Sequence, residues 1–244
     1  MPSKATRNVR WMGYWLAALL AALALPLPGF AFDALAHGMA GKDAEFVAQS
    51  VGPQIFPFFY LGAKHMATGY DHLLFVIGTV FFLYQLKHVV IYVTTFSIGH
   101  STTLLLGVLG GIHVNPFLVD AVIGLSVAYI AFDNLGGFKT LFGVQPNTKL
   151  AILIFGLVHG FGLATKVQEL NPSRDGLAAN MISFNVGVEV GQLIVLGVAL
   201  VAIVWWRKTA AFTKQAVLAN GVIMAAGFAL MEYQLAGYFV SGGA

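Results

Sequence analysis

The string His65-Met-Ala-Thr-Gly-Tyr-Asp71-His72 puts two imidazoles and a carboxylate into one short stretch of apolar chain. Seven residues is close to two helical turns, so a helix presents His65 and His72 on nearly one face. Asp71 lies about 100° round from His72, where it would ligate a metal or orient an imidazole from behind. Further along, Ser97, His100 and Ser101 cluster on one side of a second helix. Asp120 falls early in a third, and His159 lies in a fourth among Gly156, Gly160 and Gly162. Asn185, Glu189 and Gln192 follow at i, i+4 and i+7, which reads as one polar stripe. Ionisable groups inside apolar helices cost about 3 kcal/mol or more each, so they mark function by default. A single membrane histidine is ordinarily an interhelical hydrogen-bond partner. The conjunction of His65, Asp71, His72, His100, His159 and Glu189 points instead to one shared metal site, supported by Ser97, Ser101, Asp120, Asn185 and Gln192. Imidazoles with carboxylates suit a divalent first-row ion such as Ni²⁺, Co²⁺, Zn²⁺ or Cu²⁺. The chain has no cysteine, so thiolate ligands, disulfides and cysteine nucleophiles are excluded.

The elements that must position these groups are set by composition. Of 244 residues, 58% are hydrophobic and 9% charged, and the mean hydropathy is +0.81. Soluble domains carry about 25% charged residues to face water. A soluble enzyme, a disordered protein and a nucleic-acid binder are therefore poor fits, and lipid is the expected solvent. Six apolar segments cover about 56–85, 88–110, 116–135, 150–167, 177–206 and 217–240. Each approaches or exceeds the ~20 residues that cross a bilayer core, and lipid favours helices because it leaves backbone groups no other partner. The sequence thus predicts an all-α polytopic bundle of about six transmembrane helices over 55–244. Glycines inside the segments favour close helix approach. His88 and His113 fall in turns and are assigned no role, Asp133 is expected at a solvated helix end, and Glu232 has no clear place.

Upstream, Lys4, Arg7 and Arg10 precede an apolar run over 11–25, then Pro26, Pro28 and small residues. This is the order of a secretory signal, expected over 1–36 with 37–54 as a short extracytoplasmic segment. An uncleaved first helix is the competing reading. Cleavage after Ala36 would expose His37, whose amine and imidazole could chelate a metal at the outer mouth; cleavage after Ala31 would leave Phe32 first. Lys87, Lys139, Lys149, Arg207, Lys208 and Lys214 fall in loops of one side, without acids. Lys42, Lys64, Lys166 and Arg174 on the other side are balanced by Asp43, Glu45, Glu169 and Asp175. The positive-inside rule places the first set in the cytoplasm and both mature termini in the periplasm of a bacterial inner membrane. Counting inward at ~1.5 Å per residue puts His100 roughly 18 Å deep, with His159 and Glu189 at similar depth.

Four strings carry a family resemblance: H-M-A-T-G-Y-D-H-L-L-F from His65, F-S-I-G-H-S-T-T-L from Phe96, F-G-L-V-H-G-F-G-L-A from Phe155 and F-N-V-G-V-E-V-G-Q-L from Phe184. In this order, over about 55–205, the chain resembles the HupE/UreJ family of membrane proteins. The resemblance implies a polytopic protein with a cleaved signal and a role as a nickel or cobalt permease. It also implies metal-associated positions at His65, Asp71, His72, His100, His159 and Glu189; at the acidic position of the third helix, commonly Glu in the family, this chain has Asp120. The string from His65 to His72 is also similar to the H-x4-D-H signature of nickel/cobalt permeases, one residue longer.

The expected function is uptake of a divalent transition-metal ion from the periplasmic side, and not an enzymatic reaction. No G-x-x-x-x-G-K-[ST] string is present, so ATP use by this chain is excluded. The membrane potential would supply about 2.3 kcal/mol per elementary charge per 100 mV. One rival is an intramembrane zinc hydrolase, with His65, His72, His159 and Asp71 on the metal and Glu189 as base; no H-E-x-x-H string supports it. Another is a non-transporting membrane subunit or metal-delivery partner of a metalloenzyme complex. The bilayer is the expected surroundings, with homo-oligomers or membrane protein partners left open.

Overall fold

A computed structural model describes residues 41–242, and the expected signal segment and His37 lie outside them. Among the described residues the secondary structure is all helical. The helices are α1 (Lys42–Gln49), α2 (Ile55–Thr68), α3 (Tyr70–Val80), α4 (Leu86–Gly110), α5 (Pro116–Asn134), α6 (Gly137–Leu141), α7 (Thr148–Glu169), α8 (Leu177–Arg207) and α9 (Phe212–Val240). Five of them, α4, α5, α7, α8 and α9, are long and apolar enough to cross a membrane. The protein is membrane-embedded by that measure.

The first apolar segment is not one helix. It breaks at Gly69, which leaves α2 with 14 residues and α3 with 11. The local sequence explains the break. The Thr68 hydroxyl donates to the Lys64 carbonyl (2.9 Å), a back-bond that bends helices, and glycine is the weakest ordinary helix former. The ladder crosses through Gly69 itself, whose amide donates to the His65 carbonyl (2.8 Å) and whose carbonyl accepts from the Leu73 amide (2.9 Å). Gly69 adopts an extended ψ of 103°, so the axis changes direction there.

The other ends are written in the sequence. Asn115 and Asn147 cap α5 and α7 by accepting from the Leu118 amide, and from those of Lys149 and Leu150, respectively. Gly111, at φ 65°, ends α4 in the left-handed conformation. Asp133 accepts from Gln145 (2.5 Å) and Thr148 (3.2 Å), clamping the loop before α7 rather than simply facing solvent.

Packing is dominated by three helix pairs, α4 with α7, α2 with α8, and α5 with α9. Each is closed by glycines. A methyl group at Gly187 or Gly62 would collide with the Phe59 or Phe184 carbonyl, across the α2–α8 seam. One at Gly156 or Gly160 would strike the Phe96 or His100 carbonyl, across α4–α7. At Gly227 it would come 2.5 Å from the Ala128 amide nitrogen, across α5–α9. Gly156/Gly160 and Gly187/Gly191 are the small-x-x-x-small spacing that lets backbones touch in lipid. The register rises along both members in α4–α7 and α2–α8, so these pairs are parallel; α5–α9 is antiparallel. Two apolar clusters fill the interior, one around Met66, Leu104, Met181 and Phe184, the other around Phe75, Phe96, Val127 and Ile152.

Candidate functional site

The break in the first segment and the glycine seam of α4–α7 converge on one place. His65 is carried by the last turn of α2, and Asp71 and His72 by the first turn of α3. His100 comes from the middle of α4 and His159 from the middle of α7. Gly160 touches the His100 backbone, so the seam holds the two imidazole-bearing turns side by side. The four histidines are all buried, with His159 fully so.

His72 is the hub. Its ring centroid lies 5.0 Å from that of His65, 5.6 Å from His100 and 5.1 Å from His159, each pair nearly edge to face. Two imidazoles sharing a tetrahedral ion at a metal–nitrogen distance of about 2.1 Å would place their centroids roughly 5 Å apart. The spacing therefore suits shared ligation. Among the described residues, however, no three His, Asp or Glu side chains already form a closed ligand set.

Hydrogen bonding fixes which nitrogens are on offer. His159 Nδ1 lies 2.7 Å from the Phe155 carbonyl, which can only accept, so Nδ1 carries the proton and Nε2 the lone pair. His72 Nδ1 lies 3.1 Å from an Asp71 carboxylate oxygen, which commits that nitrogen in the same way when the carboxylate is ionised. Both Nε2 atoms are buried without a hydrogen-bond partner, as are both ring nitrogens of His100. Buried polar atoms normally find a partner. Unused imidazole lone pairs gathered in one apolar interior are what a cation with nitrogen preference would satisfy. A carboxylate on the far nitrogen of a histidine is the usual support for such a ligand.

Aromatic walls close the cluster. Phe96 and Phe75 each sit 5.1 Å from the His159 ring, and Phe184 lies 6.0 Å from His65. The spacing of polar residues gave no hint of these phenylalanines. Thr103 was also missed; its hydroxyl contacts the Leu157 carbonyl (2.7 Å), tying α4 to α7 one turn from His100. A hydroxyl three residues from His100 was the available signal.

The expected residues divide. His65, Asp71, His72, His100 and His159 are brought together. Ser97 donates to Gln192 Oε1 (2.9 Å), linking α4 to α8, and Asn185 donates to the Met181 carbonyl (3.2 Å) along its own helix. Ser101 is half-buried on α4. Asp120 is buried at the start of α5, where it forms an ion pair with Lys166 of α7 at 4.0 Å.

Glu189 corrects the sequence reading. It is exposed on α8 and does not join the imidazoles. The buried face of α8 is centred on Phe184, Gly187, Val188 and Gly191, which pack on α2. Glu189 lies about 100° beyond Val188, at the edge of that face. Asn185 and Gln192 stay inside while Glu189 does not, so the i, i+4, i+7 stripe is split by the helix's own seam.

Comparison with known proteins gives one positive result. The family model described as "HupE / UreJ protein" matches residues 41–242, which includes all the described helices and all five clustered residues. No similar curated protein and no similar solved structure was found. A match spanning the bundle, over the motifs that build the cluster, means that the chain belongs to the HupE/UreJ family.

Proposed function

We propose that this protein is a permease for a divalent transition-metal ion, nickel or cobalt foremost, which enters from the periplasmic side and is held midway by the imidazole cluster. The observation that carries this reading is the gathering of His65, His72, His100 and His159 around one hub inside a membrane-embedded bundle, with Nε2 of His72 and His159 unpartnered. The ion would exchange water for imidazole nitrogen in steps, and neutral imidazoles bind it without fixing it permanently. Family membership supports transport or metal delivery to a metalloenzyme.

Asp71 would act through His72, holding Nδ1 and raising the basicity of Nε2. The broken helix supplies adaptability. His65 and His72 sit on opposite sides of Gly69, so a small hinge motion opens or tightens the pair. Discontinuous helices at the bilayer midplane are a recurring way of building ion sites in transporters. The hydrolase alternative needs Glu189 as a base beside the metal, and its exposed position on α8 leaves that reading without one.

Proteoliposomes containing the full chain should accumulate ⁶³Ni²⁺ or ⁵⁷Co²⁺ under an inside-negative potential. His72→Ala should abolish uptake, and His159→Ala should reduce it by at least about tenfold. Uptake unchanged by both substitutions would defeat the proposal.

A further inference from the structure

Further along α7 from His159, ~13 Å by helical rise, Gln168 borders a cleft at the mixed-charge end of the bundle. The cleft holds about 470 Å³ and is walled by the ends of α4 and α7, the loops that follow them and the start of α8. Its polar groups are of two kinds. The Gln168 amide nitrogen donates to the Gly107 carbonyl (2.7 Å) and the Ile112 carbonyl (3.1 Å), which can only accept. That fixes the amide and leaves Oε1 as an acceptor, buried and without a hydrogen-bond partner among the described residues. His113 Nδ1 lies 2.8 Å from the Gly111 carbonyl, so Nδ1 carries the proton and the neutral ring keeps a lone pair at Nε2. Arg174 adds a positive charge to the same lining. Among the described residues its guanidinium forms no hydrogen bond or ion pair. The acids nearest to it in sequence face other groups. Glu169 lies 3.9 Å from Lys166, and Asp175 Oδ2 lies 3.7 Å from where a methyl group on Gly52 would stand.

A bare cation in this cleft meets Arg174, and a simple anion meets two lone pairs. A cation carried by a small carboxylate suits both kinds of group. Size points the same way. At ~30 Å³ per water a hexahydrated ion occupies roughly 200 Å³, less than half of the cleft. Clefts of roughly 300–1,000 Å³ are ordinary for small organic ligands. We propose that this cleft is a receiving site for the divalent ion in complex with a small carboxylate chelator, an amino- or hydroxycarboxylate. Arg174 pairs with a carboxylate of the chelator, in the two-pronged geometry that a guanidinium favours. Gln168 Oε1 accepts a hydrogen bond from the chelator's amine or hydroxyl, and His113 Nε2 offers the ion a first imidazole ligand. Val108 and Leu177 supply apolar wall for the chelator's carbon skeleton. The chelator is held at its carboxylate while imidazole replaces it on the ion, so the ion alone travels on toward the buried cluster.

The receiving site rests on the permease reading, and uptake and binding together separate the two. Proteoliposomes containing the full chain are given ⁶³Ni²⁺ alone, with citrate or with L-histidine, at matched concentrations of free Ni²⁺. A carrier of the free ion alone takes up nickel at one rate in all three. With a receiving site, at least one chelate-fed rate should exceed the rate from Ni²⁺ alone by about fivefold, the upper range for an exposed charged pair. Arg174→Gln should bring that ratio down to about one, and Arg174→Lys should restore part of it. Because the ratio compares the same vesicles, a loss of folded protein cancels from it. Equal rates with both chelators, or a ratio untouched by Arg174→Gln, overturn the receiving site while uptake abolished by His72→Ala leaves the permease reading intact. A wild type that takes up nickel in no form overturns the permease reading instead. Binding of the two ⁶³Ni complexes to the purified chain then decides the receiving site: about fivefold weakening in Arg174→Gln supports it, and no binding or no weakening overturns it.

Discussion

A buried imidazole whose Nδ1 is already committed has a single chemical option left, at Nε2. His159 and His72 are both in that state, one through the Phe155 carbonyl and the other through Asp71. The difference between the partners predicts a difference between variants. Asp71→Asn can present its amide rather than a carboxylate to Nδ1, which favours the wrong tautomer at His72. It should lower Ni²⁺ affinity about 10- to 100-fold while leaving the fold intact, read by calorimetry alongside a thermal melt. Glu189→Gln should leave affinity within about twofold, since Glu189 is exposed on α8 while the imidazoles are buried, and a loss comparable to that of Asp71→Asn would refute the placement. Residue types and spacing made the five clustered residues legible. Glu189 was misplaced for a geometric reason: an i, i+4 relation defines a neighbourhood on a helix, not which side of a packing seam each member takes.

At the scale of the element, the broken helix and the glycine seams do different work. Gly69 permits a change of direction, and a methyl group there would lie 3.1 Å from Asp71 Oδ1 and 3.3 Å from His72 Nδ1. Gly69→Ala should therefore weaken metal binding more than it lowers the melting temperature. Gly187→Ala should do the reverse, because its methyl group meets the Phe59 carbonyl in the α2–α8 seam; a loss of about 1–3 kcal/mol is expected by denaturation in detergent. The short α3 has its own anchor. Arg207, at the end of α8, donates to the carbonyls of Val80 (3.1 Å), Leu83 (2.8 Å) and Phe81, and its guanidinium stacks 4.2 Å from the Tyr84 ring. A cation over the carbonyl end of a helix is favourable there, and the planar fork serves several acceptors at once. The five long helices were readable to within a few residues at most ends, because apolar length is a strong signal. The interruption at Gly69 was not, because membrane helices commonly tolerate an isolated glycine, and only its combination with the Thr68 back-bond and the crowding around His72 makes it a break.

For the whole molecule, the basic loops share one end of the bundle and the mixed-charge loops the other. The absence of native cysteine makes this directly testable. Lys139→Cys and Asp175→Cys, both at exposed positions, should react with an impermeant maleimide from opposite sides of sealed vesicles, with Asp175→Cys the one labelled from outside intact spheroplasts. Labelling of both from the same side would contradict the bundle, and labelling in the reverse sense would invert the direction of uptake. The pairing of helices was beyond what the sequence revealed. Hydropathy counts spans but carries no record of which one lies beside which, and the two parallel pairs join helices far apart along the chain.

That pairing has a temporal consequence. The α2 helix is among the first to leave the ribosome, yet the partner that covers its glycine face is α8, joined to it through contacts such as Ser183 with the Ile55 carbonyl, 128 residues away. Until α8 is inserted, His65 has only part of its surroundings, and the helix break beside it is uncovered on that face. A nascent chain halted after α7 would carry all four imidazoles but not the α8 face that covers α2, so the surroundings of His65, Phe184 among them, are completed late in biosynthesis.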